Sequence, residues 1–318
     1  MTMEKHIFYS VCIISFAGSF LSTAVNIAIP VMSHEFGLTP DKLSWVVTAF
    51  LIPTAACLLP MGKVSDIYGR RKTYAAALLA FAFTTAAAAL AATLPVLVAI
   101  RALQGIALSA VYVSYMPLLL ATTDEDRQGR ILGICVGLTY LGLSLGPVAG
   151  GLLTEYAGWR SIFLLSAAMA AAAYLFIRPV RQEWYANGAP FVNAVSSALS
   201  MAGIVLFLWG LSAYAETSLP LWAGLLLLLA FILHESRSYH PLLPLYIFRS
   251  VSFSMSNLAA FIQYSATYAL SFLLSLYLQV LTGLSPAVSG LILLVQPIIM
   301  ALLSPKAGAL SDAYGPMP

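Results

Sequence analysis

Charge is what this sequence has least of. Lys, Arg, Asp and Glu together make up 8% of its 318 residues, against roughly a quarter in soluble domains. With 61% apolar residues, that scarcity excludes a chain solvated over most of its surface. No stretch is long and polar enough to form a separate soluble domain. Cysteine is sparse as well. Cys12, Cys57 and Cys135 lie inside apolar runs without metal or redox spacing, which argues for small buried residues rather than a disulfide framework. The four histidines, His6, His34, His234 and His240, sit in loops or at the ends of apolar runs and form no H-E-x-x-H pattern. No catalytic constellation, metal site or cofactor is expected, so the chain does not read as an enzyme. A glycine-rich nucleotide loop is lacking, so ATP is not the expected energy source. The net charge of +3 leaves no nucleic-acid footprint once its distribution is considered.

What the chain has is apolar length. About 20 apolar residues suffice for a helix to cross ~30 Å of hydrocarbon, and ten such spans recur: 7–31, 43–61, 73–93, 96–121, 131–154, 159–178, 192–213, 219–234, 252–281 and 287–305. The first is too long for a signal-peptide core and contains Asn26 and Pro30. The predicted class is an all-α integral membrane protein with the lipid bilayer as its surroundings. With the N-terminus in the cytoplasm, twelve Lys and Arg residues fall in inner segments and only Lys42 and Arg160 in outer loops. That asymmetry predicts a multi-pass protein of the cell (inner) membrane, its N-terminus cytoplasmic. Arg101 is the one charged side chain left well inside a span.

One polar loop is written twice. "GKVSDIYGRRK" (62–72) returns as "GALSDAYG" (308–315), and "GLTP" (37–40) returns as "GLSP" (283–286), both at an offset of 246 residues. Two anchors at one offset, with apolar spans of equal length between them, indicate duplicated helical units. Span 2 then corresponds to span 10, running in the same direction, as in transporters built from parallel repeats.

The first loop resembles the signature G-x-x-x-D-x-x-G-R-R/K-x loop of the major facilitator superfamily, with Gly62, Asp66, Gly69, Arg70 and Arg71 in place and Ile67 where a basic residue is frequent. Gly308, Asp312 and Gly315 match it in the second copy. "RALQG" in span 4 is similar to the family's R-x-x-Q-G element and holds Arg101 and Gln104. "GLSLGPVAGG" in span 5 is similar to the antiporter motif, with Gly142, Gly146, Pro147, Gly150 and Gly151. "HPLLPLYIFR" (240–249) resembles the lead-in to the C-terminal half of the fourteen-helix drug/proton antiporters. The resemblance covers essentially the whole chain. It implies a major facilitator-type helical bundle with ten of fourteen helices present: an N-terminal six-helix half at 1–180, two extra helices at 181–238, and the first two of six C-terminal helices at 239–318. The chain is thus expected to stop four helices short. It also implies proton-coupled efflux of drugs or other small amphipathic compounds by alternating access. Export of a specific metabolite or anionic compound, or a truncated product without transport, are the alternatives.

Roles follow from the same resemblance. The first loop is expected to act as a gating latch toward the opposite half, so that Asp66 here has neighbours only in its own half. Arg101, about 9 Å below the start of its span by helical rise, is expected to face the cavity and assist proton exchange with Gln104 on the same face. Snorkelling toward Glu155 is the alternative. The Gly142, Gly146, Gly150 stripe permits close helix packing and, in the family reading, a hinge. Asn26, Tyr112, Tyr115, Tyr140, Gln263, Tyr264 and Tyr268 are candidates for a substrate cavity. Many relatives carry an Asp in helix 1 where this chain has Leu21. No other Asp or Glu lies deep in a span, since Glu155 and Glu216 fall at outer ends. Any titrating carboxylate is therefore expected to be Glu155 near Arg101 or to lie in the missing helices, and neutral or anionic substrates are expected over permanently cationic ones.

Overall fold

In the computed structural model the chain folds entirely as helices and connecting turns among the described residues. The structure describes residues 2–185, 191–214, 217–283 and 286–314. Glu216, Gly315 and part of the second "GLSP" stretch lie outside them, as does the side chain of Tyr268.

The helices are α1 Met3–Phe36, α2 Pro40–Tyr68, α3 Arg70–Ala89, α4 Leu94–Leu120, α5 Gln128–Ala157, α6 Arg160–Ile177, α7 Ala194–Ser212, α8 Leu219–Arg237, α9 Val251–Leu276, α10 Pro286–Leu293 and α11 Val295–Tyr314. Nine segments among the described residues are long and apolar enough to span a membrane. Their ends are written in glycine and proline. Gly37 closes α1 with a left-handed φ of 64° and donates its N–H to the carbonyls of His34 and Ser33, the conformation glycine adopts without a Cβ penalty. Pro40, Pro95 and Pro220 open α2, α4 and α8 within the first turn, where a missing N–H costs no helical bond. The tenth expected span is broken, with α10 ending at Leu293 and α11 beginning at Val295. Pro297 explains the break, because a proline inside a helix cannot bond to the carbonyl four residues back and its ring crowds that group.

α1 to α6 pack into one bundle: α1 lies against α5 and α6, α2 against α4, and α3 against both α4 and α6. Lipid offers an apolar helix face as good a solvent as another helix does, so close packing rather than water exclusion must hold such a bundle. The interior follows that requirement. Ala75, Ala77, Ala88 and Ala89 of α3 and Ala167, Ala170 and Ala173 of α6 are buried, with Phe81, Leu78, Phe163 and Ile162 filling between them. At the end of the bundle opposite the chain start, Glu35 accepts from Trp159 Nε1 (2.7 Å) and pairs with Arg160 (2.7 Å), tying α1 to the α5–α6 turn. α7 and α8 form a hairpin set against α2, α9 contacts α10, and α11 runs along α5.

Candidate functional site

The end of the bundle where the chain begins gathers most of the basic residues, and two carboxylates there cap helices in the same way. α3 starts with Arg70, Arg71 and Lys72, three cations at the positive end of a helix dipole, which is an unfavourable placement. Glu183, from the segment following α6, offsets it. Its Oε1 accepts the Arg71 backbone N–H (2.7 Å) and its Oε2 accepts that of Lys72 (3.0 Å). The segment is held further by the Arg70 N–H donating to the Trp184 carbonyl (2.8 Å) and by Arg71 Nη2 donating to the Arg178 carbonyl (3.0 Å). Gly69 makes this possible. Its φ of 103° lies where L side chains are strained, and a Cβ there would overlap the Glu183 carboxylate. Asp66, on the last turn of α2, pairs across this glycine with Arg70 (3.2 Å). It also borders a cavity of about 650 Å³ lined by Gly62, Lys63, Val113 and residues 239–242.

The second carboxylate belongs to the repeated loop. Asp312, on α11, accepts the backbone N–H groups of Gly129 (2.6 Å) and Arg130 (2.8 Å) at the start of α5. Below that cap the two helices touch backbone to backbone. A Cβ at Gly129 would strike the Gly308 carbonyl at 2.5 Å, one at Gly133 would overlap the Ser304 carbonyl, and one at Gly137 would meet the Ala301 carbonyl at 2.9 Å. The sequence reading did not single out this stripe, although its i, i+4, i+8 spacing is visible.

The other half of α5 turns its glycines to α1. Gly142 faces the Phe16 carbonyl, Gly146 faces Thr23 and Gly150 faces Ala24, none with room for a methyl group, while Gly151 stands beside Ile27 in ordinary contact. One helix thus carries two glycine seams, one for α11 near its start and one for α1 beyond Tyr140. Pro147 lies inside the unbroken α5.

Arg101 is fully buried within the α1–α6 bundle. Nε donates to the Val46 carbonyl of α2 (2.9 Å), and Nη1 donates to Gln104 Oε1 (2.6 Å). Gln104 Nε2 in turn donates to Thr85 Oγ1 of α3 (2.6 Å), and the guanidinium sits 4.0 Å from the Phe50 ring centre. The guanidinium is therefore placed between helices rather than in an open cavity. Glu155 is exposed near the end of α5 and is not among these partners. Leu21 is fully buried.

The cavity candidates scatter by exposure. Asn26 is exposed on α1, and Gln263 and Tyr264 are exposed on α9. Tyr140 is buried in α5, whereas Tyr112 and Tyr115 are half-buried with ring centres 5.9 Å apart. Tyr112 Oη lies against Gly18 of α1, where an added Cβ would stand 3.0 Å from it.

Residues 11–318 match the family model for the Major Facilitator Superfamily. The chain belongs to this superfamily. Among curated members it is 27% identical over 314 residues to the riboflavin transporter RibZ of Clostridioides difficile (strain 630), covering 96% of this chain and 67% of that protein. It is 29% identical over 308 residues to the tetracenomycin C resistance and export protein of Streptomyces glaucescens, covering 93% of this chain and 56% of that one. The chain thus spans 56–67% of the length of these relatives. Among solved structures its fold is similar to that of the proton:xylose symporter XylE, with a TM-score of 0.63 at 14% identity, over 98% of this chain and 69% of the other. The chain is accordingly a multi-pass membrane protein of the major facilitator fold.

Proposed function

We propose that the protein works in proton-driven export of small amphipathic compounds by alternating access, in the cell membrane, with its N-terminus in the cytoplasm. The observation that carries this reading is the α5–α11 junction. α11 holds the second copy of the repeated loop, yet it docks through Asp312 and Gly308 on α5 of the first bundle. Units related by a parallel repeat and joined at one membrane face through a cap and a glycine seam are arranged to close there and part when the cavity opens to that side. In this reading residues 1–180 form the N-terminal half, 181–238 add two helices, and 239–318 begin the C-terminal half. Asp66 is the symmetric counterpart of Asp312. Export rather than uptake is supported by the antiporter-like motif of α5 and by the resistance and export relative. The test is accumulation of a compound panel in cells carrying the protein, with and without a protonophore. Lower accumulation that the protonophore restores supports the reading; accumulation equal to that of vector cells rejects it.

A second reading, export of one specific metabolite, is favoured by the similarity to a riboflavin transporter. Protonophore-sensitive export confined to one compound of the panel would select it.

A further inference from the structure

The three cysteines stand far apart in sequence, and folding pairs two of them. Cys12 of α1 and Cys135 of α5 are free thiols, and their side chains hydrogen-bond each other. Cys135 is fully buried, whereas Cys12 is half-buried against the same core. Cys57, on α2, is buried and has no part in the pair.

The α1–α5 seam explains the pairing, because its contacts repeat at one offset. A Cβ on Gly142 would stand 3.1 Å from Ser19 Cβ, and one on Gly146 would overlap Thr23 Oγ1, both pairs being 123 residues apart. Thr23 Oγ1 also donates to the Leu143 carbonyl (3.3 Å). Cys12 precedes Ser19, and Cys135 precedes Gly142, by the same seven residues, about two turns of helix. Each cysteine therefore continues the stripe that its helix turns to the other. Cys135 also stands midway between Gly133 and Gly137, which face α11, and so points away from that second seam.

Two touching thiols, one more open than the other, have the layout of a peroxide-reactive pair. In such pairs the accessible sulfur is oxidised first and its neighbour resolves it. Hydrogen peroxide is uncharged and little larger than water, which suits it to a half-buried thiol among apolar helices.

We propose that Cys12 and Cys135 form a peroxide-responsive dithiol whose disulfide locks α1 to α5. The Cys12 sulfur takes one oxygen from hydrogen peroxide, giving a sulfenic acid and releasing water. The Cys135 thiol then attacks that sulfur. The S–S bond forms, and the hydroxyl leaves with the Cys135 proton as a second water. The two sulfurs together lose two electrons, which the peroxide gains, and an added dithiol returns them when it reduces the bond. The bond fixes α5 to α1 at the level where α11 docks on the opposite face of α5. Its effect on transport rests on the export reading above, whereas the dithiol itself does not.

Thiol counting on the full chain in lipid membranes tests it. Membranes are treated with hydrogen peroxide, dissolved in detergent that unfolds the protein, and labelled with a maleimide; the monomer is then weighed by mass spectrometry. Wild type is expected to take three labels untreated and one, on Cys57, after peroxide. Cys12→Ser is expected to take two in both conditions. In Cys135→Ser the sulfenic acid has no resolving thiol, so dimedone is expected to tag Cys12. Three labels on peroxide-treated wild type would overturn the proposal, as would label loss that persists in Cys12→Ser. Should either variant not fold, a linked peptide holding Cys12 and Cys135 in treated wild type decides by itself, and its absence counts against the pair. Peroxide is expected to lower transport by wild type several-fold, dithiothreitol to restore it, and Cys12→Ser to be indifferent to both. Unchanged transport by fully bridged protein would overturn the lock. If untreated wild type shows no transport, the proposed function fails while the label count still decides the dithiol.

Discussion

Arg101 shows how a guanidinium is housed inside a membrane bundle with no acidic partner among the described residues: a carbonyl from α2, an amide from its own helix and an aromatic face share it. Removing the amide leaves a buried cationic donor bare, a loss of about 1–3 kcal/mol. Gln104→Leu is therefore expected to lower the thermal unfolding midpoint in detergent, and Thr85→Val, one bond further from the charge, to lower it less. Equal midpoints for Gln104→Leu and wild type would contradict this account. The charge also bears on substrates. With Leu21 and the Arg101 guanidinium both buried in the bundle, cells carrying the protein are expected to export neutral or anionic dyes and to retain ethidium. Strong, protonophore-sensitive ethidium efflux that survives both Arg101→Ala and Glu155→Gln would count against that expectation. Arg101 and Gln104 were legible because three residues separate them on one helix face. Thr85, Val46 and Glu183 were not, since each comes from another element and belongs to no motif.

Helices here are joined by glycine seams, and the seams make two demands that can be measured. Gly69 needs both a positive φ and room for Glu183, so Gly69→Ala is expected to cost on the order of 1–3 kcal/mol, as strained positive-φ positions do. Limited proteolysis near 178–185 should accelerate in that variant, and an unchanged cleavage rate would show that the Glu183 cap is not what holds the segment. Gly133→Leu places a side chain where the Ser304 carbonyl already lies. That variant should still reach the membrane and unfold cooperatively, because α5 keeps its α1 seam, but its transport should be lost because α11 cannot dock. Normal transport by Gly133→Leu would remove the junction from the mechanism. The α1 seam was readable from the spacing of Gly142, Gly146 and Gly150. The α11 seam uses identical spacing, but only the tertiary fold says which helix each stripe meets. The break before Val295 was likewise missed, because an apolar run continues through Pro297 without a change in hydropathy.

At the scale of the whole molecule, the duplicated loop is the feature that sequence and structure describe most alike. The loop's two acids both lie on helices, Asp66 on α2 and Asp312 on α11, and the order of the spans was evident from hydropathy alone. What the repeat could not disclose is that its two acids have different partners: Asp66 pairs with Arg70, two residues beyond the end of its own helix, whereas Asp312 caps the start of α5. In the proposed alternating-access cycle that second contact must break and reform. Cross-linking across it is the most direct test. Cysteines replacing Arg127 and Ala313, in elements that touch, would be introduced into a background with Cys12, Cys57 and Cys135 replaced by serine, and joined by a short disulfide-containing linker in transporting membranes. Transport is predicted to stop when the pair is bridged and to return when the linker is reduced. Undiminished transport by fully bridged protein would contradict the account.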